Sequence, residues 1–244
     1  MGFNFFKKTL LKDVLLSNMI DIHNHVLPGI DDGSVSVENS DQLISALSNL
    51  GFSQIIATPH TFPGVWNNTK QSIEAALELY NEESSLGPSK MLRCSSEYLI
   101  HTDLLEQAQK GTLLPLKDNV LLVEMSYLNP PLNLKEVIFE LQSAGYEIVL
   151  AHPERYRFYH GDFNEYHNLK DLGCKFQLNL LSTTKYYGKD VSKIAGKLLK
   201  ENLIDYVGTD VHHQRHIDAF DFPLLIKQVD KLQLAIDNNK LFSF

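Results

Sequence analysis

Cysteine is nearly absent, with two in 244 residues, Cys94 and Cys174. They make no disulfide framework and suit a reducing compartment, so a cytoplasmic location is expected. Basic residues are outnumbered, 22 Lys and Arg against 30 Asp and Glu, for a net charge of −8. Nucleic-acid backbones are bound by clustered cations, which sets that partner aside. A phosphorylated substrate stays open, because bound metal ions invert a local field. Long apolar runs are missing too. The opening MGFNFFKKTLLKDVLLSNM has no unbroken apolar stretch and no small-residue cleavage site. It is therefore not expected to be a signal peptide, and no segment reaches membrane-spanning length. There is no low-complexity linker, repeat or composition shift to mark a boundary. The expectation is one domain over residues 19–244, preceded by an N-terminal extension, residues 1–18, that is helical. Phe3, Phe6, Leu10 and Val14 line one side of such a helix, which packs on the domain or, alternatively, docks on a partner or membrane surface.

What is present is an alternation. Strand-length apolar runs occur at MIDIH (19–23), QIIAT (54–58), MLRCSSE (91–97), VLLVE (120–124), EIVLAH (147–152), KFQLN (175–179) and DYVGT (205–209). Between them lie stretches of helical period. Leu43, Ile44, Leu47 and Leu50 precede Gly51, and Val137, Ile138 and Leu141 precede Gly145, each glycine standing where a helix ends. Strands joined by helices imply a parallel sheet with right-handed crossovers. Runs such as VLLV and IVL imply strands covered on both faces. About seven strands without a hairpin signal predict an α/β fold, a closed (β/α) barrel in preference to an open doubly wound sheet.

In a parallel barrel the functional groups lie at the carboxyl ends of the strands. Those ends carry, in order, His23 and His25, His60, Glu97, Glu124, His152, Asn179, and Asp210 with His212. Any one of them alone would be a solvated loop group or a satisfied core histidine; repeated at seven strands, they predict a shared site. His23 and His25 are two apart, which on an extended strand points both to one face, and Asp210 and His212 repeat that spacing. Asp31 and Asp32 follow in a glycine-flanked loop. A nitrogen and oxygen donor set without thiolate favours Mn2+, Fe or Zn2+, and its size predicts two or three ions.

The strings DIHNH (21–25), TPH (58–60), an isolated Glu97, HPER (152–155) and GTDVH (208–212) resemble the motifs of the polymerase and histidinol phosphatase (PHP) superfamily. HVLPGIDDG, IIATPH, LLVEMS and AHPERY narrow the resemblance to the bacterial manganese-dependent tyrosine phosphatases of capsular and exopolysaccharide operons. It covers about residues 19 to 215. The resemblance implies a distorted seven-stranded (β/α) barrel of PHP type. It implies one ion held by His23, His25, Glu97 and Asp210, a second by Glu97, Glu124 and His152, and a third by Asp32, His60 and His212. Arg155 would bind the substrate phosphate. The implied substrate is phosphotyrosine in the tyrosine-rich tail of a membrane-associated bacterial tyrosine kinase. The chain departs from the pattern in its N-terminal extension, and in TPHTFPG, where many relatives carry a second histidine after TPH.

The expected chemistry is attack on phosphorus by a hydroxide bridging two ions, with Arg155 and the ions neutralising the equatorial oxygens. A phenolate leaves readily, so no general acid is essential. Asp31 and His213 are candidates for that role, with an Asx turn and a solvated imidazole as the ordinary alternatives. Tyr156, Phe158 and Tyr159, and Tyr186 and Tyr187 after the sixth strand, could wall a slot for an aromatic ring; loop packing is the alternative. His101, His160, His167 and His216 lie off the strand ends and are expected to pack or face solvent. Cysteine-dependent phosphatase chemistry is excluded, because an arginine must stand six residues after the thiolate. Ile100 and Leu180 occupy those positions. The rival readings are a histidinol phosphatase or nuclease-like PHP enzyme, a non-catalytic metal-binding barrel, and an amidohydrolase-type barrel. The last commonly needs a strand-end lysine, which this chain lacks.

Overall fold

The computed structural model describes residues 8–87 and 89–244. Each apolar run named above forms a strand, and every strand pair is parallel. In chain order they are β1 (Met19–Asp21), β2 (Phe52–Ala57), β3 (His60–Thr61), β4 (Leu92–Cys94), β5 (Glu97–Leu99), β6 (Val120–Glu124), β7 (Glu147–Ala151), β8 (Lys175–Asn179) and β9 (Tyr206–Gly208). The ladders form a three-stranded sheet, β1-β2-β4, and a six-stranded sheet, β3-β5-β6-β7-β8-β9. One closed ring of seven was expected. The difference has a local cause, since the second and third runs each break in two. Pro59 has no N–H to give a ladder. Ser96 donates its hydroxyl to the Pro59 carbonyl (2.9 Å) and Ser95 to that of Leu114 (2.9 Å). Both runs resume as β3 and β5, with His60 opposite Glu97.

The ends of β1 and β9 meet through single bonds. Asp210 N–H donates to His23 O at 2.7 Å and His25 N–H to Val211 O at 2.9 Å. Ile20, Ile22, Ile56, Leu122, Val149, Ala151 and Tyr206, drawn from both sheets, pack as one inner cluster. The alternate residues Leu121, Val123, Ile148 and Leu150 face outward into the helices. That is why VLLVE and EIVLAH carry apolar residues at both parities.

The helices are α1 (Val37–Asn49), α2 (Lys70–Glu83), α3 (Thr102–Gln109), α4 (Leu134–Ser143), α5 (Asn164–Asp171), α6 (Lys189–Lys200), α7 (Gln214–Asp218) and α8 (Val229–Asn238). α1 begins where the Ser36 hydroxyl accepts from Asn39 N–H and buries Leu43, Ile44 and Leu47. It is followed by Gly51 at φ +103, where a β-carbon would come within 2.4 Å of the Leu16 carbonyl. Among the described residues, no helix is long and apolar enough to cross a membrane. Of the segment before residue 19, Leu11–Val14 form a 3-10 turn whose Leu11 and Val14 enter the core. Leu10 bridges to Pro223; Phe3 and Phe6 lie outside the described residues.

Candidate metal centre

Nine side chains, each at or just beyond a strand's carboxyl end or in the Asp31–Asp32 loop, converge on one mouth. They form four overlapping groups, each with its ligand atoms within 4.8 Å of one another. These are His25, Asp32, His60 and His212; His23, His25 and Asp210; His23, Glu97 and His152; and His60, Glu97 and Glu124. All five imidazoles and four carboxylates singled out in the sequence are therefore present. The grouping differs from the implied one at Glu124, whose Oε1 lies 2.9 Å from His60 Nδ1, while His152 Nε2 meets Glu97 Oε1 at 3.1 Å. Glu97 is the hub: its Oε2 lies 3.2 Å from His23 Nε2, 3.5 Å from His25 Nε2 and 3.1 Å from His60 Nδ1. Asp210 Oδ1 lies 3.4 Å from His23 Nε2 and 3.5 Å from His25 Nε2. Asp32, more than half exposed, stands at the rim, 3.5 Å from His60 Nε2 and 3.6 Å from His212 Nε2.

These atoms are close without being satisfied. His23 Nε2, His25 Nε2, His60 Nδ1 and Glu97 Oε2 are buried and have no hydrogen-bond partner. An unpartnered buried polar atom is costly, and four of them aimed at one space fit divalent cations. The electrostatics agree. Burial opposes charge on His25, but Asp31, Asp210 and Glu97 outweigh it and lift its pKa well above the imidazole norm. Burial also opposes charge on His60, yet Glu124 and Glu97 hold its pKa at about 10. Burial works against ionised Glu97 as well, and His23, His152 and His25 still keep its pKa well below the carboxylate norm. A pocket with this much negative charge binds cations, protons or metals, and the two compete for the same atoms.

The candidate ligands are held from behind. His23 Nδ1 meets Gln177 Oε1 at 2.7 Å, with the amide oriented by its own bond to Leu178 O (2.8 Å). His25 Nδ1 meets Asp31 Oδ2 at 2.7 Å. Each contact places the proton on Nδ1 and turns Nε2 toward the cradle. Asp21 accepts from Thr209 N–H (3.0 Å), Thr209 Oγ1 (2.6 Å) and Asn24 Nδ2 (3.0 Å), tying β1 to β9 beneath the site. Burial pushes its pKa up to about 6. His152 and Asp210 have φ of +36 and +52, a strained left-handed backbone at two of the nine donor positions. Two glycines admit the close approach. A β-carbon on Gly33 would lie 2.1 Å from the His25 carbonyl oxygen, and one on Gly208 would lie 2.5 Å from the His23 β-carbon.

Arg155 ends the 3-10 turn Pro153–Arg155. Its Nη1 donates to Asp210 Oδ2 at 2.5 Å, and Asn179 Nδ2 donates to the same oxygen at 2.9 Å. The guanidinium lies over Tyr187 at 4.3 Å and Tyr127 at 4.8 Å. Tyr127, Arg155, Arg157, Tyr187 and Val191 line a cavity of about 240 Å³. Tyr187 is therefore beside Arg155, but Tyr156 is not available to a ligand. It is fully buried, and its hydroxyl accepts from Met125 N–H at 2.9 Å. Tyr127 takes the place foreseen for Tyr156.

Asp31 also differs from its expected role. Its oxygens are engaged by His25, Gly33 N–H (2.9 Å) and His60 N–H (3.1 Å), so it orients ligands and has no free oxygen to carry a proton to a leaving group. His216 is buried and accepts from His212 N–H through Nδ1. His101 caps α3, His160 meets Glu154 O and His167 meets Glu201. Burial pushes the Cys174 thiol up to about 12 and the Cys94 thiol up to about 11, leaving both protonated. Gln177, Asp21, Thr209 and Tyr127 were not singled out in the sequence. Gln177 was the most visible of them, a polar residue between Phe176 and Leu178 in the buried stretch of β8.

Parallel strands carrying nine nitrogen and oxygen donors at one end, in overlapping sets, define an α/β protein with a candidate metal-binding mouth. The chain belongs to the CpsB/CapC family of capsular polysaccharide synthesis, whose family model matches residues 19–221. It is 31% identical over 198 residues to the tyrosine-protein phosphatase YwqE of Bacillus subtilis (strain 168), covering 80% of this chain and 78% of that one. It is 27% identical over 202 residues to the tyrosine-protein phosphatase CpsB of Streptococcus pneumoniae, covering 80% and 83%. Among solved structures it is similar to one from a study of YwqE from Bacillus subtilis and CpsB from Streptococcus pneumoniae, described as unique metal-dependent tyrosine phosphatases. The TM-score is 0.74 with 28% identity, covering 92% of this chain and 88% of that one.

Proposed function

We propose that this chain is a metal-dependent protein-tyrosine phosphatase, a hydrolase of phosphoric monoesters acting in capsule or exopolysaccharide synthesis. The observation that carries the reading is the convergence of nine donors beside an arginine clamped between two tyrosines. The names of the relatives support it. His23, His25, Asp32, His60, Glu97, Glu124, His152, Asp210 and His212 would hold two or three ions, Mn2+ by preference. When bound, such ions lower the pKa of water and neutralise charge on phosphate oxygens. Arg155 offers a planar fork for two parallel bonds to the phosphate. Tyr187 and Tyr127 flank it and bound the slot in which an aryl ring would sit. Asp31 and Gln177 fix the ring orientations of His25 and His23 and are positioning residues. No side chain is assigned as general acid; the pKa of about 10 of a phenol makes its departure the easier case.

The distorted seven-stranded barrel, with residues 19–244 as one catalytic unit, is our reading of the fold. Counting β2 with β3 and β4 with β5 as two interrupted strands gives seven, and the bonds joining the ends of β1 and β9 support closure. A location in the cytoplasm and a membrane-associated tyrosine kinase as the phosphorylated partner complete the proposal. The test is turnover by the purified, Mn2+-loaded chain of a phosphotyrosine peptide, an aryl phosphate and histidinol phosphate. Hydrolysis of the first two, abolished by chelation, is expected. Preference for histidinol phosphate would replace the reading with its small-molecule rival, and no turnover of any phosphoester would leave a binding module.

A further inference from the structure

Beside the arginine slot runs a second, larger depression of about 630 Å³. Its apolar walls are Pro131, Leu132 and Leu134 on one side and Phe158 and Tyr159 on the other. The two cavities share the segments that build them. The loop after β6 gives Tyr127 to the slot and Leu132 to the groove, and the turn Arg157–Tyr159 gives Arg157 to the slot and Phe158 to the groove. A line of rings connects them, from Tyr127 to Tyr156 at 5.8 Å and from Tyr156 to Phe158 at 5.5 Å. An extended peptide covers that span in about three residues.

The groove's chemistry is selective. Leu128 and Leu132 stand 86% and 107% exposed on a loop stiffened by Pro130 and Pro131, a preorganised apolar surface that loses little freedom on binding. Glu136, Asp162 and Glu165 line the groove against a single lysine, Lys135. We propose that this groove reads the flank of a phosphotyrosine peptide, taking an apolar side chain and a Lys or Arg within about three residues of the phosphotyrosine. The occupant is an extended peptide. A negatively charged lipid surface would be repelled by the same carboxylates. The inference rests on the phosphatase reading and adds to it what surrounds the phosphotyrosine.

The test uses the full chain loaded with Mn2+. Two phosphotyrosine peptides are compared, one flanked by Leu and Lys and one by Gly and Asp, with an aryl phosphate that has no flank at all. kcat/KM for the Leu/Lys peptide is expected to exceed that for the Gly/Asp peptide about tenfold or more. The ratio of Leu/Lys peptide to aryl phosphate should fall about tenfold in Leu132→Asp and in the double variant Glu136→Lys, Asp162→Lys. Fluorescence anisotropy of the same peptide carrying a non-hydrolysable phosphotyrosine mimic should weaken in parallel. Equal turnover of both peptides, or variants that lower peptide and aryl phosphate alike, would overturn the groove and leave the phosphatase reading standing. Leu132-dependent binding to vesicles of anionic lipid without a flank effect would overturn it too. Failure to hydrolyse any of the three substrates would bring down both readings.

Discussion

Replacing Arg155 with alanine removes a group that touches the cation cradle and the slot at once. In the free protein its guanidinium is bonded to Asp210 Oδ2 at 2.5 Å and stacked on Tyr187 and Tyr127. The stacking is worth about 0.5–2 kcal/mol, but it fixes the arginine in both the ground and transition states and so does not itself accelerate reaction. The expected rate effect comes from the fork that, on the proposed reading, binds the phosphate. Loss of one preorganised donor of this kind costs about 3–4 kcal/mol, a fall in kcat of about 100- to 1,000-fold. Asp210 keeps Asn179 Nδ2 at 2.9 Å and its place near His23 and His25, so the ions should stay. Arg155→Lys should recover only about tenfold of the loss, because a point charge cannot make two parallel bonds. Steady-state kinetics on a phosphotyrosine peptide, paired with elemental analysis of bound metal, separates the contributions. Suppose instead that the alanine variant sheds its ions while activity per bound ion remains that of the parent. Arg155 would then be merely a structural partner of Asp210, and the phosphate assignment would be wrong.

Other substitutions probe the supporting layers. Chelation should abolish turnover and lower the melting temperature, with Mn2+ restoring both; a chelated chain as heat-stable as the loaded one would mean the donors do not hold ions in the folded state. Asp31→Asn should weaken metal binding about 10- to 100-fold by disturbing the orientation of His25, measured by competition with a colorimetric chelator; unchanged affinity would remove the positioning role. Asp41, on α1 and outside the donor groups, accepts from Ser84 Oγ (2.6 Å), Ser85 N–H (3.0 Å) and Ser85 Oγ (2.7 Å). Burial acts to raise its pKa, but these bonds prevail and lower it. Asp41→Asn should therefore destabilise the chelated protein by about 1–3 kcal/mol at neutral pH in urea melts. Because the folded pKa is the lower one, that stabilisation is present above the unfolded value of about 3.9 and fades as pH falls through the folded one. A gap between parent and variant that failed to narrow on acidification below pH 4 would contradict the assignment.

The donors were legible for a physical reason. A histidine or carboxylate directly after an apolar strand run is out of place unless something compensates it, and the chain repeats that anomaly at strand after strand. VLLVE was legible over its full length, because a strand buried on both faces leaves no polar residue inside to blur the boundary, and KFQLN was legible despite Gln177 at its centre. The breaks at Pro59 and at Ser95–Ser96 were harder to see, since a run such as MLRCSSE looks continuous until its serines are known to bond across to neighbouring segments. Nearness in sequence misled at Tyr156. It follows Arg155 directly, but the left-handed turn at His152 sends the chain into a 3-10 turn that buries Tyr156 and leaves the slot to Tyr127, from the loop after β6. Gln177, Asp21 and Thr209 escaped because their roles exist only between strands, and no periodicity within one segment encodes a partner on another.

The bond from Thr209 to Asp21 joins the first strand to the last across 188 positions. Such a contact closes late and at a high entropic cost, because nearly the whole chain must be in place before it forms. The cradle straddles the same seam, with His23 and His25 on one lip and Asp210 and His212 on the other. Bound ions would thus fasten the two ends of the fold like a clasp, and depletion should open the molecule there first. Amide exchange at residues 21–25 and 207–212 would quicken on depletion before exchange in β6 and β7.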